Sequence, residues 1–260
     1  MQSVMRLLAL ITIVLLPSTM TARAQSSNEP TRSEVEIRGI VSIPSGTANF
    51  SGTSSGDTTI DFKRDFDFGN KLGFAGRYTY RSTNKKHKFL AEYNTTKWSR
   101  DTTLSRTFTF LGQTYIANLA ASGDLRLNVY RVMYAYRWGT DKLRIGPMFD
   151  MGVVSTRIAI SGTTNNGARS GERTVTKFAA SIGYDLDYEA SPNINLFSNL
   201  GAIAFQGEHF FHTDNGARFY FTKHFGASGG YRFERYKLKK DDNFVTVRAH
   251  GPFFGGLIRF

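Results

Sequence analysis

Cysteine is absent from the 260 residues, proline occurs only 6 times, and the one long apolar run is the ten-residue stretch from Leu7 to Leu16. Without cysteine the chain has no disulfide, no thiolate metal site, no cysteine nucleophile and no lipid-modified cysteine behind an export signal. A membrane-spanning helix needs about twenty apolar residues, so the run at Leu7 is too short, and no other segment offers a better candidate. A helix-length 3.6-residue pattern is also missing after that run. None of this excludes a membrane. A transmembrane β-barrel alternates lipid-facing and lumen-facing residues and never shows a long apolar stretch, so the mean hydropathy of -0.30 is compatible with one. Phosphate-binding loops, dinucleotide fingerprints and metalloprotease motifs are missing too, and neither a cofactor nor a metal is expected.

The features that are present begin at the N-terminus. Arg6 precedes the apolar run, and Pro17 and the triplet Ala22-Arg23-Ala24 follow it. A basic start, a core of about ten apolar residues and small residues spaced A-x-A make a secretory signal peptide over residues 1–24. Cleavage after Ala24 removes Arg6 and Arg23 and lowers the net charge from +12 to +10. Residues 25–32 are polar and aperiodic and read as a flexible lead-in on the periplasmic side.

From residue 33 to residue 260 the chain is a succession of period-two segments broken by Gly, Asn, Asp, Ser and Thr. Val35, Ile37, Val41 and Ile43 alternate with Glu34, Glu36, Arg38 and Ser42; further segments follow at 72–80, 87–99, 124–138, 142–158, 174–189, 193–206, 211–221, 224–238 and 244–260. The spacing predicts ten strands. Eight is the alternative, because the segment around Phe211 is short and Gly251-Pro252 weakens the last one. Short connections near 82–87, 139–142, 190–193 and 222–224 alternate with long polar ones near 44–65, 100–123 and 159–173, as in a barrel with turns at one end and loops at the other. The strands running toward the turns end at Tyr80, Trp138, Tyr188, Phe221 and Phe260. Such amphipathic rings suit a membrane interface, and a water-soluble sandwich has no reason to collect them at one rim. The fold class is all-β, a closed antiparallel transmembrane barrel, because backbone polar groups in a bilayer must all be paired.

The face opposite the apolar one collects charge: Glu34, Glu36, Glu92, Asp150, Asp185, Asp187 and Glu234 against Arg38, Arg77, Arg131, Arg137, Arg144, Lys177, Arg232 and Arg259. Near balance favours a ladder of ion pairs across a narrow lumen, since an unpaired buried charge is very costly. A constriction selecting small solutes is the functional reading of the same residues. A self-satisfying packing network is preferred, because balanced charge gives no net field for choosing one sign of ion.

The chain closes on Gly251-Pro-Phe-Phe-Gly-Gly-Leu-Ile-Arg-Phe260, with Phe254, Gly256, Ile258 and Phe260 on one face. This resembles the C-terminal strand of bacterial outer-membrane β-barrels, where the final aromatic is part of the signal read during assembly. With the run Gly229-Gly230-Tyr231-Arg232-Phe233, it is similar to the small Gram-negative barrels of the broad OmpA-like transmembrane group. The resemblance implies an outer-membrane location, the barrel-assembly machinery and outer-membrane lipid as partners, and no particular activity. The phosphates of lipopolysaccharide match Arg235, Lys237, Lys239 and Lys240 better than nucleic acid does, since the basic residues are dispersed and the chain is exported.

Barrels of this kind that are enzymes carry their catalytic groups at the outer rim, omptin-like proteases with acidic pairs and a histidine. His87 and His224 lie in short turns, on the periplasmic side, and His250 has no acid and nucleophile tied to it by spacing. Glu208-His209-Phe210-Phe211-His212-Thr213-Asp214 is the one cluster of histidine with carboxylate, but His209 and His212 point to opposite faces of a strand. Solvated loop histidines explain them. Asp57, Asp61, Asp65 and Asp67 form an acidic first loop with no omptin-like motif around them. The expected function is a non-enzymatic barrel, envelope-structural or a narrow passive channel, with no catalytic residue. The alternatives are a rim enzyme acting on lipid or peptide, or an adhesin using long loops, among them 100–123 with Phe108, Phe110 and Tyr115 alternating along an extended hairpin.

Overall fold

Alternation of the period-two kind becomes ten long strands: β1 (Ser33–Asn49), β2 (Lys71–Arg81), β3 (His87–Thr103), β4 (Ala120–Tyr136), β5 (Leu143–Thr164), β6 (Gly167–Ser191), β7 (Ile194–Phe205), β8 (Glu208–Tyr220), β9 (Phe225–Lys240) and β10 (Asn243–Arg259). The structure is a computed structural model and describes residues 32–50, 58–240 and 243–260. The signal segment 1–24, the lead-in up to residue 31 and Asp57 lie outside the described residues. Each strand pairs antiparallel with its neighbour in sequence, and β10 returns to β1 in a register running from Glu34↔Arg259 to Asn49↔Phe244. The ring therefore contains ten strands and closes. Phe260 and Ser33 lock the two ends together, each backbone N–H donating to the other residue's carbonyl at 2.9 Å.

Parity then sorts the side chains. Ile37, Phe74, Val132, Phe178, Ile182 and Phe254 stand outward and exposed, while the residues between them are buried inside. The interior has two halves. Toward the turns it is filled by charged and polar groups; toward the loops it is an apolar core that includes Trp98, Leu125, Leu127, Val129, Val154, Ile158, Val245 and Val247.

Several connections differ from expectation. The long polar loop expected at 159–173 is the tip of the β5–β6 hairpin, whose ladder continues to Thr164↔Gly167. Its turn is Asn165-Asn166-Gly167, with Gly167 at φ 89° and the Thr164 hydroxyl donating to the Gly167 carbonyl at 2.8 Å. An Asn-Gly turn of this type favours a tight hairpin, and the flanking Ser and Thr residues hid it. Likewise β1 extends to Asn49 and β9 to Lys240, so Lys237 and Lys239 are strand residues. Phe108, Phe110 and Tyr115 form a small hairpin, Phe108–Phe110 against Gln113–Tyr115, but their rings are fully buried and pack into the apolar core. They extend nothing beyond the barrel.

Gly251-Pro252 does not break β10. The β1–β10 register is the same before and after it, with Ile40↔Phe253 on one side and Ile43↔His250 on the other. Proline has no N–H to give the ladder, and Gly251, at φ 156°, lets the backbone come so close that a Cβ would sit 1.7 Å from the Val41 carbonyl oxygen. At this height the buried Trp98 indole donates to the Ser42 carbonyl at 3.1 Å. Replacing Trp98 by Phe keeps the ring's apolar body but leaves that acceptor unmatched, which costs about 1–3 kcal/mol. Guanidinium unfolding of the refolded barrel followed by far-UV circular dichroism is expected to show the lower midpoint; an unchanged midpoint would mean that the bond contributes nothing.

Candidate functional site

The interior polar groups come from every wall of the ring. At the level nearest the turns, Glu34 of β1 faces Arg218 of β8 at 3.2 Å, Arg81 at 3.7 Å and Arg259 at 3.6 Å, and accepts from the Tyr220 hydroxyl at 3.0 Å. Beside it, Lys88 of β3 donates to Asp185 at 2.7 Å and to Asp187 at 3.2 Å, and Arg137 also binds Asp187. One level up, Arg38 donates to both oxygens of Glu36, at 2.6 and 2.9 Å, and across the lumen to Asp214 at 2.7 Å. Its guanidinium lies 4.2 Å from the Phe253 ring centre. Arg77 joins Asp214 to Glu92. Above these, Glu92 receives Arg131 at 3.0 Å and Arg232 at 2.5 Å, and Arg232 passes on to Glu234 at 2.6 Å. Glu234 also accepts from Asn94 and Tyr236, each at 3.0 Å. Charge-assisted bonds of this kind are the strong ones, and here they run unbroken from wall to wall.

At the upper margin of this network, Asp150 of β5, Ser181 of β6 and His212 of β8 meet. The Ser181 hydroxyl donates to Asp150 Oδ2 at 2.8 Å, and His212 Nε2 lies 2.5 Å from the same oxygen. Gly201 of β7 makes the space: a Cβ there would stand 2.4 Å from His212 Nε2 and from Ser181 Oγ. The three are buried beside a cavity of about 20 Å³ lined by Tyr130, Arg131, Phe210 and Tyr236, room for about one water. In a nucleophilic relay the serine donates to one imidazole nitrogen and the acid holds the other. Here both partners turn to one carboxylate oxygen, Ser181 Oγ lies 3.5 Å from the same Nε2 that faces Asp150, and His212 Nδ1 has no partner among the described residues.

The loop end is stoppered. Residues 58–68 and 104–119 fold over the mouth and send Ile60, Phe62, Phe66, Phe68, Leu104, Phe108 and Phe110 down into the apolar half. A one-turn helix, α1 (Phe62–Phe66), forms because Asp61 caps it, accepting from the N–H groups of Lys63 and Arg64 at 3.0 and 2.9 Å. This sets Phe66 between Phe68 and Phe108, with ring centres 5.5 and 6.0 Å away. Gly123 of β4 leaves room for it, since a Cβ would lie 2.4 Å from the Phe66 ring. The two loops are pinned by Arg106, which donates to Asp65 at 2.8 and 2.7 Å and to the Thr59 carbonyl at 2.7 Å.

Of the charges expected to face the lumen, Glu34, Glu36, Arg38, Arg77, Glu92, Arg131, Arg137, Asp150, Asp185, Asp187, Arg232 and Glu234 are buried in the ring. Arg259 is half-buried at the turn-end mouth, stacked on Tyr220. Arg144 also lies at that mouth, reaching the exposed Asp141, and Lys177 lies near the loop end with Glu208. These two take no part in the central network, because each strand is longer than the buried stretch it crosses. Sequence reasoning missed Lys88, Asp214, Arg218 and His212. Parity along β8 could have found three of them: Phe210, His212, Asp214, Arg218 and Tyr220 share one face, all buried. His212 is thus a buried strand residue and not a solvated loop histidine. Tyr80, Trp138, Tyr188, Phe221 and Phe260 lie at the turn end; all but the partly exposed Tyr80 are well exposed, and Phe89 and Tyr134 extend the same belt.

Burial pushes the Asp65 carboxyl up, but the hydrogen bonds from Arg106 and Arg64 and the Asp61 N–H outweigh it and hold it below the usual carboxylate range. A depressed carboxylate stabilises the fold above its unfolded value, about 3.9 for Asp, and the contribution fades as pH falls through the lower folded value. Protease cleavage within 104–119 is therefore expected to rise on acidification in that window, and Asp65→Asn is expected to raise it at neutral pH and flatten the pH dependence. Identical cleavage at all pH values in the wild type would remove the pin from the account.

Neither a family model nor a curated protein matches the sequence. Among solved structures, the chain is similar to the outer membrane protease OmpT from Escherichia coli, at 12% identity over 91% of this chain and 99% of that one, with a TM-score of 0.55. The attachment invasion locus protein Ail of Yersinia pestis aligns at 13% identity over 88% and 99% of the two chains, TM-score 0.37. The translocator domain of the autotransporter NalP from Neisseria meningitidis aligns at 11% over 100% and 96%, TM-score 0.42. At these identities the likeness concerns fold alone, and that fold is the one of the small outer-membrane β-barrel proteins.

Proposed function

We propose that this chain is exported by the segment 1–24 and resides in the outer membrane as a closed, non-enzymatic barrel that serves the envelope as a structural element, its turns in the periplasm and its loops outside. The observation that carries this reading is the double closure of the lumen. An ion-paired layer fills the turn half, an aromatic stopper fills the loop half, and the described cavities within hold about one water each, roughly 20 and 10 Å³. A passive channel needs a continuous wet path, and two filled layers of this kind among the described residues speak against one. The exposed apolar band supports the membrane setting, since so many outward Phe, Tyr, Ile and Val side chains would be costly in water.

The convergence of Asp150, Ser181 and His212 supports a second reading, a hydrolase with Ser181 as nucleophile. That reading needs a base behind the serine, a donor pair for an oxyanion and an entry path. Ser181 instead gives its hydroxyl hydrogen to Asp150, and His212 Nε2, 3.5 Å from the serine oxygen, is turned closer to that same carboxylate oxygen. Treatment of the refolded protein with a fluorophosphonate is expected to leave Ser181 unlabelled; covalent labelling lost in Ser181→Ala would overturn the non-enzymatic reading.

Planar-bilayer recording tests closure. Wild-type protein is expected to give no conductance steps, and neither Arg131→Ala nor Asp150→Ala alone is expected to open it, because the aromatic stopper remains. Regular steps from the wild type at neutral pH would contradict the closed barrel.

A further inference from the structure

On the outer surface of the ring, β9 and β10 set two arginines directly against each other. Arg235 pairs with Arg248 in the ladder, and both are exposed. Side chains in such positions have Cβ atoms about 4.5–5.5 Å apart, and like charges there are destabilising. Lys237 stands one step further along the same face, opposite Thr246. Among the described residues none of the three meets a carboxylate. Glu234 points inward to Arg232 and Asn94, and Glu208 is taken by Lys177 and the Lys239 N–H.

The other side of the barrel differs. Lys97, Arg126 and Arg157 also face one another across β3, β4 and β5. There, however, Asp124 lies 3.3 Å from Lys97 and Glu172 lies 2.5 Å from Arg157. Among the described residues, carboxylates pair with the cationic row on β3 to β5 and none pairs with the row on β9 and β10.

Height and surroundings say which anion fits. Arg235 lies ten residues along β9 from Phe225. At about 3.3 Å per residue and a tilt of about 40°, that is a climb of about 25 Å, the height of the apolar band of a membrane barrel. Just below the arginines is an aromatic shelf. Tyr231 hydrogen-bonds His250 at 2.6 Å, His250 stacks on Phe233 with ring centres 6.1 Å apart, and Phe211 packs edge-on to Phe233 at 5.6 Å. An apolar shelf topped by unpaired guanidinium groups matches a molecule with acyl chains below and a phosphate above, and guanidinium binds phosphate oxygens in pairs.

We propose that Arg235 and Arg248, with Lys237 above them, hold the phosphate of an anionic lipid headgroup against the outside of the barrel. The site rests on the membrane reading given above. The bound phosphate relieves the repulsion between the two arginines, so the barrel and the lipid stabilise each other.

The test uses the full-length mature barrel refolded in neutral detergent, with lipid A as the probe at increasing mole fraction in mixed micelles, and bound phosphorus per barrel as the readout. Wild type is expected to saturate. Arg235→Gln with Arg248→Gln is expected to weaken binding roughly 30-fold, from the loss of two basic residues at an anionic surface, and Arg126→Gln is expected to stay within about twofold of wild type. Retention of wild-type affinity by the double variant would overturn the proposal. So would equal binding of a dephosphorylated lipid A, or displacement of lipid A by millimolar inorganic phosphate, which would make the site one for the free ion. Heat-modifiable migration of each variant without lipid A reads barrel closure separately, so failure of the lipid site is distinguishable from failure of the barrel.

Discussion

A closed ring of ten strands has an inside, and the physical constraint governing this protein is that charges placed there must neutralise one another. The buried carboxylates Glu34, Glu36, Glu92, Asp150, Asp185, Asp187, Asp214 and Glu234 face the buried cations Arg38, Arg77, Lys88, Arg131, Arg137, Arg218 and Arg232. Each carboxylate lies against a cation or, for Asp150, against His212 and Ser181. An isolated ion in such a place would cost several kcal/mol even after relaxation, so the groups act as a set. The bonds also cross the ring: Arg38 on β1 reaches Asp214 on β8, and Lys88 on β3 reaches Asp185 on β6. The same pairs that neutralise the lumen tie distant walls together.

The loop half solves the same problem of filling space with different chemistry. Its wall residues are apolar, and the first two loops return into it as a stopper of phenylalanines. Polar groups fill the ring toward the turns and apolar groups fill it toward the loops. The Arg235–Arg248 pair, which meets no carboxylate among the described residues, lies outside the ring.

Much of this was legible in the chain. Strand number, closure, the balanced interior charge and the aromatic strand ends follow from parity and from the spacing of turns. Three things were not. The aromatic stopper comes from loop residues such as Phe62, Phe66 and Phe108, and periodicity says nothing about where a loop folds. The Asn165-Asn166-Gly167 turn was masked by polar strand residues on either side, Ser161 to Thr163 and Arg169 to Thr174. His212 and Asp214 were obscured because a cluster of histidine and acid looks like a loop until the pairing Gly201↔His212 fixes its strand and face. In each case long-range pairing decided the outcome.

The interior charges depend on one another, and a double-mutant cycle on Arg77 and Asp214 measures that dependence directly. Each single replacement, Arg77→Met or Asp214→Leu, strands a buried partner and is predicted to cost about 3–5 kcal/mol in denaturant unfolding of the refolded barrel. The double replacement is predicted to cost clearly less than the sum, with a coupling of about 1–3 kcal/mol. Strictly additive losses would contradict the claim, since they would mean that the two charges sit in the lumen without holding each other.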